Sequence, residues 1–361
     1  MLNVYVLGVA TAPASRRRDD VRLEELVYDT AKRALDDAQV TQAALDSVTL
    51  GSSDELDGRP ISSMLMASPA GGFQTDEIKV SDSGLTALCL AAARHASGDF
   101  DLGMVSSWCK PSKADVPVVM NSRADPFYLR DLGVDDLMTD ALFAQAVADE
   151  FGIDDAELAE RAAAGRRRAA RNPRGLGSEV SVGDLGGYLA TPIREAHRAE
   201  TTDGAASLVL ASERWLARHP DKRPIARLAG VGWSNDSYSL DRERLRGLKS
   251  ARSAWNSALR MAGGDTRPDV IEFESPTVFH EAAYERALDV GDAAISPSGG
   301  VYAQNPLAAT GLVHAVEAVL QVSDRAEGVQ VPGARRAVAH SCHGFAQQGN
   351  VFAVFDRTGE N

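Results

Sequence analysis

Hydrophobic and polar positions along this chain switch between two periods. Residues 3–9 form a short apolar, β-prone run. Residues 23–38 then carry Leu23, Leu26, Val27, Ala31 and Leu35 at helical spacing. The pattern predicts short strands at 48–51 and 78–81, a short helix at 62–67 around Met64 and Leu65, and another strand at 101–106. Residues 84–96 are almost entirely apolar, which implies a helix buried on most of its surface. Alternating strands and helices of this kind place helices on both faces of a largely parallel sheet. Residues 110–200 break the rhythm: they are Arg-rich, hold Pro-containing turns and carry helical stretches at 138–151 and 155–172. They read as an excursion from the sheet. A strand at 204–211 returns to it, and the scheme then repeats: strand 225–231, helix 250–262, strand 270–273, helix 278–288, a Gly-rich loop at 297–310, helix 311–322, and closing strands at 338–340 and 351–355. Two βαβαβ halves of similar length imply an internal duplication.

A length of 361 residues suits two domains, or one α/β unit of two halves, and a chain of this size needs neither disulfides nor a metal to fold. No apolar run approaches the roughly 18 residues of a membrane span. The first residues read as a strand, not a signal peptide, because their charges follow the apolar run. Cys89, Cys109 and Cys342 form no spaced pair, which argues against a disulfide framework or a four-cysteine zinc site and points to a reducing cytoplasm. A net charge of −13 argues against nucleic acid as a partner, since phosphate neutralisation needs clustered Lys and Arg.

Three segments carry residues suited to chemistry. In Val80-Ser81-Asp82-Ser83-Gly84-Leu85 a strand ends at Ser81 and a helix opens at Ser83 or Gly84. A nucleophile there would sit above the positive end of a helix with free N–H groups at hand, although either Ser also suits an N-cap. In Ser296-Pro297-Ser298-Gly299-Gly300-Val301-Tyr302, Gly299 and Gly300 permit close approach of backbone to a ligand, or simply make a long turn. No GxGxxG and no GxxxxGK[ST] supports a dinucleotide fold or a P-loop. In His340-Ser341-Cys342-His343-Gly344-Phe345 the thiol and imidazoles suit acid–base work, while a His in an apolar strand is also a common core residue. No further Cys or His cluster completes a zinc set, so no metal is expected.

Taken together and in this order, these segments resemble the thiolase superfamily, especially the branch near the thiolase domain of sterol carrier protein-x. Ser81-Asp82-Ser83-Gly84-Leu85 is similar to its nucleophile turn, Cys-x-Ser-Gly-Leu/Ser. Thr202-Asp203-Gly204-Ala205-Ala206 is similar to Ser-Asp-Gly-Ala-Ala, and Pro297-Ser298-Gly299-Gly300 to Pro-Ser-Gly-Gly. Asn305-Pro306-Leu307-Ala308-Ala309-Thr310-Gly311 resembles Gly-His-Pro-Leu-Gly-Ala-Thr-Gly, and Cys342-His343-Gly344 falls at the final catalytic turn. The match runs from about residue 3 to 356. It implies the α/β, duplicated five-layered thiolase fold, with an N-terminal half at 1–215 that includes an inserted loop domain at about 108–200, and a C-terminal half at 216–361. It also implies a homodimer, with residues 78–81 as the candidate pairing edge.

Departures from the family pattern shape the functional expectation. The thiolase nucleophile is Cys, and Ser81 stands at its position; the His of Gly-His-Pro is absent, with Asn305 before Pro306; and Glu274 stands where relatives carry Asn or His. A Ser hydroxyl is essentially never ionised and needs a base within hydrogen-bond reach. His343 oriented by Glu274 would supply one, in a Ser-His-Glu arrangement with Ser81 at the bottom of the pocket. Cys342 beside His343 is expected to have a lowered pKa and to act as a second acid–base group. Gly299, Gly300, Tyr302, Gly344 and Arg168 are candidate substrate or coenzyme A contacts. The resemblance thus implies a thiolase-like acyltransferase, or a carbon–carbon bond-forming or -cleaving enzyme, using a coenzyme A or carrier thioester as substrate and no bound cofactor. Two further readings stand beside it. One is a non-catalytic scaffold paired with an active thiolase or a small OB-fold/zinc-ribbon acyl-CoA-binding protein. The other is a retro-aldolase on a β-hydroxyacyl-CoA, with Tyr302 as a candidate proton carrier.

Overall fold

The computed structural model describes residues 2–59, 61–176, 185–264 and 267–359. Ten strands join in one sheet: β1 (Val4–Thr11), β2 (Ser47–Gly51), β3 (Asp76–Val80), β4 (Leu102–Cys109), β7 (Gly204–Ser212), β8 (Ala226–Asn235), β9 (Val270–Glu272), β10 (Ala294–Ile295), β11 (Arg336–His343) and β12 (Gly349–Asp356). A separate hairpin holds β5 (Tyr188–Ala190) and β6 (Ile193–Arg194). The longer helices are α1 (Leu23–Ala38), α2 (Gly84–Ala96), α3 (Asp136–Phe151), α4 (Asp155–Arg171), α5 (Lys249–Met261), α6 (Val278–Ala287) and α7 (Thr310–Val322).

Strand order is β10-β9-β11-β12-β8-β1-β7-β4-β2-β3. The sheet is mixed, not largely parallel as the alternation of elements suggested. Only the outer trios β4-β2-β3 and β11-β9-β10 pair in parallel, while every pairing between β4 and β11 is antiparallel. The reason lies in the connections. β11 turns into β12 through a short loop, which only an antiparallel pair permits, and β7 re-enters beside β4 after a long excursion. The two halves meet where β1 and β8 share just three residue pairs, Val4↔Leu228, Tyr5↔Arg227 and Val6↔Ala226.

Helices α2 and α7 lie between the halves, touching each other and strands of both. Helix α1 covers the outer face of β1 and β7, and α5 the outer face of β8 and β12, which completes five layers. Every residue of α7 is buried, as expected for a helix with sheet on both sides. The duplication is visible at atomic level. A Cβ on Gly84 would lie 2.7 Å from the Leu312 Cβ and 2.6 Å from the Ser107 Cβ; one on Gly311 would lie 3.0 Å from the Leu85 Cβ and 2.6 Å from the Ser341 Cβ. Each helix thus begins with a Gly-Leu step whose Gly receives the other's Leu, and no larger residue fits.

Between β4 and β7 the chain leaves the sheet, forming α3, α4 and the β5–β6 hairpin; positions 177–184 of this expected loop domain lie outside the described residues. These helices rest on α6 of the second half. Arg161 bonds Glu285 at 2.7 Å and Arg286 bonds Glu157 at 2.6 Å across that contact. The excursion therefore forms a roof over one end of the sheet.

Candidate active site

Under that roof lies a cavity of about 470 Å³, lined by the β3–α2 turn, the β9–α6 turn, the loop before α7 and the β11–β12 turn. It brings together Ser81, Glu274, Asn305, Cys342, His343 and Gly344, six positions scattered through the sequence.

At the rim, Ser83 caps α2: its hydroxyl accepts from the Thr86 N–H at 3.2 Å. Ser81 is left free of capping duty, but it is exposed in the isolated chain and not at the bottom of the pocket. Among the described residues no hydrogen bond links it to His343. The imidazole instead lies between Asp82 and Asn235, with Nδ1 3.3 Å from Asp82 Oδ2 and Nε2 3.1 Å from Asn235 Oδ1. Asp82 Oδ2 also accepts from the Thr86 hydroxyl at 2.9 Å, which steadies the carboxylate. The expected Ser-His-Glu arrangement is thus corrected: Asp82, not Glu274, faces the His343 ring. The cause is side-chain alternation along β11 and its partner strand. His343 pairs with Gly349, and a Cβ at Gly349 would lie only 1.9 Å from His343 Nε2, so glycine is what lets the ring lie across the strand pair. Gly344 takes φ +70°, turning the chain out of β11 at the cavity edge.

Deeper in, Cys342 Sγ points at the Glu274 carbonyl oxygen, 3.5 Å away. Its thiol is not acidified, contrary to expectation. Burial pushes it well above the ordinary thiol range, reinforced by the Glu274 carboxyl, although the Tyr284 hydroxyl opposes the shift. Burial likewise pushes the Glu274 carboxyl up to about 8, helped by the Asp82 charge and opposed by Ser341. Glu274 Oε2 is buried without a hydrogen-bond partner among the described residues. Asn305 is anchored by its own backbone: its N–H donates to Thr202 Oγ1 at 2.9 Å, its carbonyl accepts from the Thr202 N–H at 3.0 Å, and its Oδ1 accepts from the Thr310 hydroxyl at 3.3 Å. The donor end of the amide is what remains to offer the cavity.

Four candidates sit behind the cavity wall. Gly299 has φ +93°, and a Cβ there would lie 2.4 Å from Ala169, so this glycine permits the close approach of α4. Gly300 lies in the same turn. The Tyr302 hydroxyl donates to the Ala196 carbonyl at 3.0 Å, and Arg166 stacks over its ring at 4.5 Å. Arg168 faces Glu281 at 3.7 Å. His340 is a core residue: buried, bonded to Asn350 at 2.9 Å, and lowered by burial to about 3. Sequence reasoning missed Asp82 and Asp140 as cavity-lining groups, and Asn235 as the partner of the His343 ring. Asp82 stood inside a motif already singled out, but nothing along the chain marks it as the neighbour of a His near the far end. No group of three or more His, Cys, Asp or Glu suited to a metal occurs among the described residues.

The Thiolase C-terminal domain-like family matches residues 278–357. Acetyl-CoA acetyltransferase of Methanothermobacter thermautotrophicus is 26% identical across 95% of this chain and 97% of that protein. Sterol carrier protein 2 of Gallus gallus is 30% identical over 165 residues, 39% of this chain and 30% of its own length. Human mitochondrial 3-ketoacyl-CoA thiolase superposes with a TM-score of 0.76 over 98% of this chain and 99% of that one, at 17% identity, and its complex with CoA gives the same score. A five-layered fold with paired central helices, a relative similar from end to end and a C-terminal family match all support the thiolase superfamily as the one this chain resembles.

Proposed function

We propose that this protein is a thiolase-like enzyme that makes or breaks a carbon–carbon bond in an acyl-CoA or carrier-bound thioester. The observation that carries the reading is the convergence of Ser81, Glu274, Asn305, Cys342 and His343 on one cavity. The names of its relatives, an acetyl-CoA acetyltransferase and a 3-ketoacyl-CoA thiolase, point to the same substrate class.

Retro-aldol cleavage of a β-hydroxyacyl thioester fits these residues best. His343 takes the proton of the β-hydroxyl, the Cα–Cβ bond breaks, and the β-carbon leaves as a carbonyl. The electron pair passes into the thioester enolate, whose oxygen the Asn305 amide hydrogen-bonds. Glu274, largely an uncharged acid at neutral pH, returns a proton to Cα. Ser81 needs no activation on this route, which suits a hydroxyl without a bonded base.

The seat of His343 against Asn235, away from Ser81, suits a second reading, a scaffold subunit beside an active thiolase or a small OB-fold acyl-CoA-binding protein. As a pairing edge for a homodimer we propose β3, the last strand of the sheet, whose Asp76, Glu77 and Ile78 are exposed.

Incubation with acyl-CoAs and β-hydroxyacyl-CoAs, followed by intact-mass and product analysis, separates these routes. A shortened CoA thioester and a free carbonyl compound, with no mass added to the protein, support the retro-aldol route. An acyl adduct on Ser81 replaces it with covalent transfer. CoA binding without turnover, together with stimulation of a co-purified thiolase, establishes the scaffold.

A further inference from the structure

One wall of the cavity carries a buried polar pair that the proposed chemistry does not use. Asp140 on α3 lines the cavity yet is only 5% exposed. Its Oδ1 lies 3.6 Å from Nε2 of His280 on α6, a fully buried residue. The His280 ring is fixed: Nδ1 is 3.0 Å from the Thr277 hydroxyl, and Phe143 stacks on it with centroids 4.2 Å apart. At 3.6 Å the two groups do not satisfy each other, and His280 Nε2 has no hydrogen-bond partner among the described residues. Buried polar atoms are nearly always paired, and Asp140, the member of the pair that lines the cavity, is the one a ligand atom or a water can reach. Burial, opposed by Arg198 and reinforced by Asp136 and Asp135, pushes the Asp140 carboxyl up to about 8. Near neutrality it is mostly the uncharged acid, able to donate as well as accept. Arg198 is held by Asp136 and does not reach Asp140 in an ion pair. Around these groups Met120, Pro276, Val301 and Leu307 give the cavity apolar lining that suits a chain.

We propose that Asp140, in the cavity wall beside His280, hydrogen-bonds an oxygen on the acyl chain beyond the reacting carbons, so that the preferred thioester carries a hydroxyl or keto group there. The inference rests on the reading of this cavity as a thioester site. A plain alkyl chain would bury the Asp140 carboxyl without a partner, whereas an oxygenated chain would supply one.

The test is calorimetric titration of the whole protein with CoA, octanoyl-CoA, and octanoyl-CoA derivatives bearing a hydroxyl or keto group at successive carbons from the fourth onward. The expected result is one substituted position that binds about tenfold more tightly than octanoyl-CoA. Asp140→Asn, which still donates and accepts, should keep most of that preference. Asp140→Leu should abolish it while binding octanoyl-CoA at least as well. Equal affinity of the wild-type protein for octanoyl-CoA and every oxygenated derivative overturns the proposal, whether or not the Leu variant folds. So does a preference that survives unchanged in a folded Asp140→Leu variant. If neither CoA nor any thioester binds, the thioester reading itself fails and this proposal falls with it.

Discussion

The rim and the deep wall of the cavity use similar residue types under opposite physical conditions. At the rim, His343 and Asp82 face each other in contact with solvent, and Asn235 and Thr86 hold them in place. In the wall, Glu274 and Asp140, with His280 behind them, have lost most of their water. Burial raises the two carboxyls to about 8 and lowers His280 to about 3. All three are therefore mostly uncharged near neutral pH. One cavity thus holds an imidazole beside a carboxylate at its mouth and uncharged acids inside, so a group able to take a proton and groups able to give one line the same space.

The sharpest way to break the comparison is at the rim. His343→Ala should lower turnover of a cleaved β-hydroxyacyl thioester by about 10²–10⁴-fold, with little change in melting temperature. A loss below tenfold would remove His343 from the chemistry. Gly349→Ala tests the same ring without touching it. The added methyl has to displace the imidazole from a position 1.9 Å away. A fall in kcat of about 10²-fold is expected, in line with the usual effect of an ångström-scale misplacement. Measurement on protein whose circular dichroism is unchanged separates this from unfolding.

The deep wall is tested by pH. Glu272, Glu274 and Asp140, all near 8 in the fold, keep protons that the unfolded chain releases at about pH 4 to 4.5. Their contribution to stability is complete below that point and is lost as pH rises through 8. His280, His314 and His340 act in the opposite sense: lowered from 6.5 to about 3, 4 and 3, they withhold stability as pH falls below 6.5. The two sets oppose each other between about pH 4.5 and 6.5, so melting temperature should decline more steeply from 6.5 to 8 than it changes over that range. Glu274→Gln should make that decline shallower and lower turnover by about 10–10²-fold, read from melting curves and kcat measured on one preparation. An unchanged slope would mean that Glu274 is ionised in the fold.

The smallest effect is expected at Ser81. On the retro-aldol route Ser81→Ala removes at most one hydrogen bond, a loss of about tenfold or less. Complete loss of turnover would instead make Ser81 a nucleophile and return the site to covalent transfer.

Local pattern determined most of the elements. The helix expected at 84–96 is Gly84–Ala96, and that at 155–172 is Asp155–Arg171, because unbroken periodicity and a capping serine or aspartate are properties of neighbouring residues. The motifs also marked the segments that meet at the cavity, since turns at strand ends carry Gly, Ser and Pro for local steric reasons. Which side chains face one another was not legible. Strand direction at the sheet centre, the seat of the His343 ring across Gly349, and the seating of α4 on Gly299 depend on contacts between residues far apart in sequence. So does protonation: Glu274 and Cys342 look like ordinary ionisable groups in the sequence, and only enclosure by β9, β11 and α6 withdraws the water that would keep them so. The sequence determined the segments and their chemistry; the tertiary structure decided which groups are dry, which are paired, and therefore which can carry a proton.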